Sequence, residues 1–459
     1  KDILDYANKF ANYLNDSGLK KGDKVIVSLT NSPYVFISYQ AILSLGAVFV
    51  PCIYRLTKSE MLHIVKFSDA NYAICDYSSV DKIREIKKEI EGLRIIFIEE
   101  EIKNVDRYSD SHQNVQVDED DLAAIIFTAG TTGVPKGVML SHKNIISNAK
   151  QPIEPQKEFI EREDGALMCV PLSHAFGIIG ISTSYLLGKK CVLIRSFNVN
   201  EVLDAIEKYK VTAFRAVPTM LKMLMSHPDF LKKVKSVRRW GSGSAPLPRD
   251  VIEYFEKNLG AKIAEGYGLT ETCACISANY EGSPKLGSVG KPLPDVEVKI
   301  VDENGSELRK GDVGEVVVKG PNVMLEYYKN SEETEKVLKN GWLYTGDLGY
   351  LDEDGYLYIS GRKKDLIIRG GFNIIPKEIE DVICMHPKIY EAAVIGVPDE
   401  VMGEEIKAFV VKKDESLTEV EITEFLKDRI SKNKIPKYIQ FVDELPRSPA
   451  GKILKRMLK

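Results

Sequence analysis

No stretch of this chain approaches the run of about 18 apolar residues that a membrane-spanning helix needs, and no secretory leader pattern opens it. A positive charge excess is also missing. With 63 Lys and Arg against 67 Asp and Glu, the formal charge is −4. That excludes broad nucleic-acid binding, so an anionic ligand has to be held by local lysines and backbone N–H groups. The seven cysteines are scattered, mostly in apolar segments such as residues 73–75 and 167–170. Their odd number and lack of ligand spacing exclude a disulfide framework and a metal site; they fit reduced, buried thiols in a cytoplasmic protein. Cys273 and Cys275 are the one close pair, and a Cys-x-Cys without further ligands reads as packing. No low-complexity tract and no internal repeat stands out.

What is present is an ordinary globular composition, 44% hydrophobic and 28% charged. At 459 residues the chain exceeds what one hydrophobic core serves, so two or more domains are expected. In the first half, apolar runs at residues 25–29, 47–51, 72–76, 95–98, 123–128, 166–171, 190–194 and 212–217 read as strands. Helical patterns such as residues 34–45 and 60–67 lie between them, the latter opened by Thr57 and Glu60 as a capping box. Strands separated by helices predict right-handed βαβ units in doubly wound, largely parallel sheets. From about residue 287 the texture changes. Residues 296–301 and 315–319 alternate like strands, and Asn304-Gly305 between them signals a hairpin.

After Gly361 basic residues crowd together: Arg362, Lys363, Lys364 and Arg369. A helix over 376–386, strands over 391–397 and 406–411, and a helix over 417–433 are expected next. The fold class is therefore α/β. A large N-terminal domain, residues 1–361, has doubly wound sheets and a small β-barrel (about 287–361); a small mobile α+β C-terminal domain, residues 362–459, follows.

Four stretches are dense in chemistry. FTAGTTGVPKG, residues 127–137, sets Thr128, Gly130, Thr131, Thr132, Gly133 and Lys136 behind an apolar strand. Glycines admit a ligand to the backbone, and N–H groups, hydroxyls and one ammonium converge as a polyphosphate requires. It is not a Walker loop, because Lys136 lies three residues after Gly133 and precedes Gly137 rather than Ser or Thr. In EGYGLTET, residues 265–272, Gly266 and Gly268 flank Tyr267, whose ring can cover a flat base. Thr270 can bond a phosphate oxygen there, and Glu271 can hold Mg²⁺. Within residues 342–371, Asp347 in a Thr-Gly-Asp turn can accept both ribose hydroxyls, with Arg362 donating to the same sugar. At the C-terminus, PRSPAGKILKRMLK carries Lys452, a cation for a reacting phosphate and carboxylate if a mobile domain holds it. Singly, these stretches also fit a surface loop, a capped turn, a hairpin and solvated charge.

Together and in this order they resemble the adenylate-forming superfamily of acyl-CoA synthetases, peptide-synthetase adenylation domains and luciferases, over essentially the whole chain. GRKKDLIIRGGFNIIPKEIEDVI at residues 361–383 is most similar to fatty-acyl-CoA synthetases. The resemblance implies that residues 128–136 close over the β- and γ-phosphates of ATP, although the loop's usual serine is Ala129 here. It implies that Gly243, Ser244, Ala245 and Pro246 lie along the adenine and that Tyr267 stacks on it. Glu265, Gly266, Gly268 and Ile359 complete the nucleotide site. Thr270 then binds the α-phosphate, Glu271 with Thr131 takes Mg²⁺, and Asp347 and Arg362 hold the ribose. Lys452 becomes the adenylation lysine and Lys364 the hinge, while Gly371 and Phe372 line the CoA path. His174, Phe176, Gly177, Pro218 and Gly241 form the acyl pocket, where His174 gates the thiol.

The implied activity is ATP-dependent activation of a carboxylic, expected fatty, acid to an acyl-adenylate with release of pyrophosphate. Transfer to CoA, the co-substrate, then gives acyl-CoA and AMP. No aspartate adjoins Phe176, where amino-acid-activating relatives place one, which favours an uncharged chain. Arg238 and Arg239 keep a dicarboxylic acid such as malonate open. A ligase that loads a carrier protein is the other alternative; nothing announces a luciferin pocket. No nucleic-acid partner is expected, while peripheral membrane contact and a homodimer stay open. The chain starts on Lys1, and relatives carry several tens of residues before its first helix, so the N-terminal domain is expected to be truncated.

Overall fold

A computed structural model describes residues 2–128, 135–161, 165–280, 284–447 and 453–458. Its first sheet comprises β1 (Lys24–Ser28), β2 (Val48–Pro51), β3 (Tyr72–Cys75), β4 (Arg94–Phe97), β5 (Leu122–Thr128) and β6 (Lys136–Ser141), in the order β4-β3-β1-β2-β5-β6. All neighbours run parallel except the β5–β6 hairpin. Strands β2 and β3 are buried at every residue, because helices cover both faces of the sheet. On one face Ala41 and Ile42 of the helix Pro33–Ser44 share a core with Phe10 and Leu14 of the helix Asp2–Asp16. On the other, the helix Lys58–Ser68 begins at the capping box of Thr57 and Glu60 and packs Met61, Ile64 and Val65 against β2.

The second sheet repeats this winding with β7 (Ala166–Met168), β8 (Cys191–Leu193), β9 (Ala213–Ala216), β10 (Arg239–Ser242), β11 (Ile263–Tyr267), β12 (Ser277–Ala278) and β13 (Lys291–Pro292). Their order is β13-β12-β11-β10-β9-β7-β8, with β7 to β11 parallel and the last two antiparallel. Leu167, Phe214 and Trp240 turn one face into a core with the helices Val199–Tyr209 and Arg249–Leu259. Register assigns the other face. Ala213 lies opposite both Ala166 and Arg239, and Gly241 opposite both Arg215 and Ala264. Since side chains alternate along a strand, these six residues share the opposite face.

The third sheet is antiparallel: β14 (Glu297–Val301), β15 (Gly314–Lys319), β16 (Leu338–Lys339), β17 (Trp342–Leu351) and β18 (Leu357–Arg362). The Asn304-Gly305 turn forms, with Gly305 at φ 81° and its N–H on Asp302 O at 3.1 Å. It returns the chain only to a single bridge, Val301 to Glu307, and the strand that pairs with β14 begins later, at Gly314.

A short 3-10 turn, Lys363–Asp365, leads into the fourth sheet. This contains β19 (Ile367–Arg369), β20 (Phe372–Ile374), β21 (Ile389–Asp399), β22 (Gly403–Lys412) and β23 (Tyr438–Phe441), antiparallel except for β22 with β23. It has a core of its own, in which Ile379, Val394, Ile406, Ile422 and Leu426 are buried. The helix expected over 417–433 is shorter, Glu419–Lys427, followed by a separate turn at Lys432–Lys434. Lys222 links this unit to the second sheet. Its Nζ donates to Tyr390 O at 3.0 Å, lies 4.5 Å from that ring and 3.4 Å from Asp250 Oδ2. Among the described residues no helix is long and apolar enough to cross a membrane.

Candidate active site

A cleft of about 2610 Å³ runs along the carboxyl ends of the second sheet and is walled by parts of the third and fourth sheets. On its wall Tyr267, the last residue of β11, donates its hydroxyl to Asp347 Oδ2 at 2.6 Å, and Arg362 Nε lies 2.9 Å from Oδ1. Asp347 and Arg362 face each other across β17 and β18. Asp347 is only 3% exposed, and a carboxylate survives that burial because both oxygens are engaged. The turn before it is fixed from several sides. Thr345 Oγ1 donates to Val316 O at 2.7 Å and accepts the Asp347 N–H at 3.1 Å, while the Gly346 N–H reaches Glu315 at 3.1 Å. Burial and the adjacent Asp347 carboxylate raise the Tyr267 phenol well above its ordinary range, so it stays a donor.

Ala129, Gly130, Thr131, Thr132, Gly133 and Val134 lie outside the described residues. Thr128 and Lys136, which flank them, pair across the β5–β6 hairpin, and both line the cleft. The Lys136 ammonium is ion-paired with Glu333 and sits 5.0 Å from the centroid of the Tyr327 ring. Tyr327 in turn donates to Glu271 Oε1 at 2.8 Å. Bonds from Lys136 and Lys336 hold the Glu333 carboxyl down to about 2. Thr270 and Glu271 lie in the tight turn Thr270–Thr272, which ends on a left-handed Cys273. Gly268 must be glycine, since a Cβ there would fall 2.0 Å from Ala274 O. Tyr327 and Glu333 belong to none of the motifs read from the sequence; only the tertiary fold brings them here.

Gly243, Ser244, Ala245 and Pro246 line the cleft with Ile359, Glu265 and Gly266. Ser244 holds φ at 71°. Glu265 accepts the Leu247 N–H at 2.8 Å, but burial outweighs that bond and pushes its carboxyl up to about 7.

His174 caps the helix Ala175–Leu187, with Nδ1 accepting the Phe176 N–H at 3.4 Å, and both side chains line the cleft beside Pro218 and Gly241. Gly177 faces elsewhere. A Cβ on it would lie 2.5 Å from Leu172 Cα and Pro171 O, so it lets the helix approach its own entry loop, and the wall is Ile179 and Gly180 instead. Arg239 lines the cleft, bonded to Gln156 Oε1 at 2.7 Å, whereas Arg238 does not line it. Arg215, unremarked in the sequence reading, does line it.

Lys364 lines the cleft just after β18, its ammonium pKa lowered by burial and by Arg362. Gly371 and Phe372 stand on the β19–β20 hairpin, outside the cleft lining, with Phe372 62% exposed. Lys452 lies outside the described residues. The chain following it does return to the cleft: Lys455 pairs with Glu380 at 2.6 Å, and Leu458 packs with Ala393 and Phe409.

Residues 1–328 match the model of the AMP-binding enzymes, and residues 378–452 match that of the AMP-binding enzyme C-terminal domain. A long-chain-fatty-acid–CoA ligase of Bacillus subtilis is 36% identical over 100% of this chain and 89% of its own length. A 2-succinylbenzoate–CoA ligase of Bacillus licheniformis is 35% identical over 98% of this chain and 92% of its own. Among solved structures, ATP-bound MatB from Rhodopseudomonas palustris superposes with a TM-score of 0.93 at 33% identity, covering 99% of this chain and 92% of that one.

Proposed function

The chain belongs to the family of AMP-binding enzymes, and we propose that its cleft binds ATP with the ribose on Asp347 and Arg362 and the phosphates toward Lys136 and Glu271. The protein is an AMP-forming acid–thiol ligase. It activates a carboxylic acid through an acyl-adenylate and passes the acyl group to CoA. The observation that carries the binding mode is Asp347, a buried carboxylate on the cleft wall held by one phenol and one guanidinium. A carboxylate offers about four lone-pair sites over its two oxygens, so sugar hydroxyls can join or exchange with the partners it already has. In this mode the Tyr267 ring covers the adenine, residues 243–246 run along its edge, and Thr270 bonds the α-phosphate.

The chemistry needs this layout because a carboxylate is a poor electrophile toward a thiol. It attacks the α-phosphorus, pyrophosphate leaves, and the acyl group gains a good leaving group in AMP. Charge grows on the phosphate oxygens, and cations placed there beforehand lower the barrier. Lys136 serves the pyrophosphate side, and Lys452 bridges the acid and the α-phosphate. Mg²⁺ fits the donor set: Glu271 offers one carboxylate, and this ion is held by one or two carboxylates plus substrate phosphates. Among the described residues no group of three or more His, Cys, Asp or Glu could hold a metal without such help. When bound, the ion would neutralise charge on the phosphates.

Residues 362–459 form the mobile unit and Lys364 its hinge. Rotation brings the β19–β20 hairpin, with Gly371 and Phe372, to the cleft for the thiol step, past His174. The acid is of the kinds named for the two relatives above, a fatty acid or one such as 2-succinylbenzoate. Seven free cysteines support a cytoplasmic setting.

Acid-dependent exchange of pyrophosphate into ATP tests the first step, and thioester formation with free CoA against a holo-carrier protein tests the second. Exchange with no acid in a broad series would refute the reading; transfer to the carrier alone would replace CoA as acceptor.

A further inference from the structure

We propose that the acid taken by this cleft bears a second anionic group, bound by Arg215 and Arg239; this rests on the reading of the cleft as an acid-activating site. Strand β9 lies inside a seven-stranded sheet, between β7 and β10. Such strands normally bury apolar side chains on both faces. Here Ala213, Phe214 and Ala216 are buried while Arg215, in their midst, is exposed and lines the cleft.

The neighbouring strand is shaped to admit it. Gly241 is the register partner of Arg215, and a Cβ on Gly241 would lie 2.9 Å from Arg215 Cγ. The arginine stem therefore crosses β10 through the gap that the glycine leaves. Its charge is felt at Cys275, beyond β11, where it pulls the thiol pKa down against the larger effect of burial.

Arg239 stands on the same face, two residues deeper in register, or about 7 Å at the usual strand rise. It is buried, lines the cleft and bonds Gln156 Oε1 at 2.7 Å. Both guanidiniums engage further groups as well, so an anion would join an existing network. Small residues, Ala213 and Gly241, fill the positions between the two arginines, and with Ala264 beyond Gly241 they leave room over the sheet. A wholly apolar acyl tail laid on this face would desolvate guanidinium without satisfying it. A carboxylate matches the guanidinium fork with two parallel hydrogen bonds. Arg215, nearer the strand end, meets the second anion of a shorter acid, and Arg239 that of a longer one.

The test compares straight-chain monocarboxylic acids with α,ω-dicarboxylic acids of equal length in acid-dependent pyrophosphate exchange by the wild-type protein. The expected result is a higher kcat/KM for the dicarboxylic acid at one or more lengths. In Arg215→Met, which keeps the stem and drops the charge, the dicarboxylic-to-monocarboxylic ratio should fall by about tenfold or more, chiefly through KM. A wild-type preference for monocarboxylic acids at every length, or an unchanged ratio in R215M, would overturn the proposal. If R215M does not fold, the wild-type series decides alone. Exchange with neither class would instead refute the acid-activating reading itself.

Discussion

The first and second sheets are wound alike, and each has a place where connections leave to opposite sides: between β1 and β3 in one, between β7 and β9 in the other. Parallel sheets bind ligands outside the strand ends at such points. In the first sheet the place is filled. Asp76 is buried there, taking Thr30 N–H at 2.8 Å and Thr30 Oγ1 at 2.7 Å on one oxygen, and the Ser78 N–H at 2.9 Å with the Ser78 hydroxyl on the other. Arg195 closes over Thr30 at 3.2 Å. In the second sheet the strand ends carry small residues and turns, with His174 and Pro218 at the rim, and the cleft opens. One topology thus offers two crevices, and in one of them a satisfied carboxylate and its partners occupy the place.

Two carboxylates, one in each setting, make the contrast testable. Asp347→Ala should cost about a hundredfold in kcat/KM for ATP, read by pyrophosphate exchange, because it removes a charged acceptor from the proposed sugar site. Asp76→Ala should instead lower stability by about 3 kcal/mol in denaturant unfolding, stranding several buried donors, while the folded fraction keeps its turnover. Equal losses of turnover in both variants would break the comparison.

Glu265 sharpens it by pH. Its carboxyl is raised to about 7 in the fold, from 4.5, so the folded state keeps a proton that the unfolded chain has released. Stability of the ligand-free protein should therefore fall as pH rises from about 4.5 to 7, by on the order of 3 kcal/mol, then level off. Glu265→Gln should flatten that slope in melts across the window.

The smallest effect belongs to Lys222→Met, which removes the ammonium held by Tyr390 O, the Tyr390 ring and Asp250. Pyrophosphate exchange should drop several-fold relative to thioester formation from supplied acyl-adenylate, as for a contact worth about 1 kcal/mol. An unchanged ratio of the two half-reactions would show that this link does not set the orientation.

Strand positions were legible because buried parallel strands read as apolar runs: residues 72–76 in the sequence against Tyr72–Cys75 in the fold. The capping box of Thr57 was legible because both partners lie within one turn. The β19–β20 hairpin was missed, since strands of three residues carry no period. Tyr267, singled out from one motif, and Asp347 and Arg362, from another, prove to be in contact through the Asp347 carboxylate. Tyr327 and Glu333 could not be found that way, because long-range packing alone sets them against Lys136 and Glu271. Arg215 looked like one more residue of a strand; its meaning depends on which side of the sheet it faces and on the glycine beside it.

The pairing of Lys136 with Glu333 sets terms for whatever replaces it. An arriving anion exchanges places with a carboxylate rather than meeting a bare cation, so only the excess of its own attraction counts toward affinity. Glu333 is not stranded by the exchange, because Lys336 holds its other oxygen at 2.8 Å. A singly charged ion gains little from such a trade, while a triphosphate gains a good deal. Discrimination by charge is thus built into the resting protein, ahead of any contact with sugar or base.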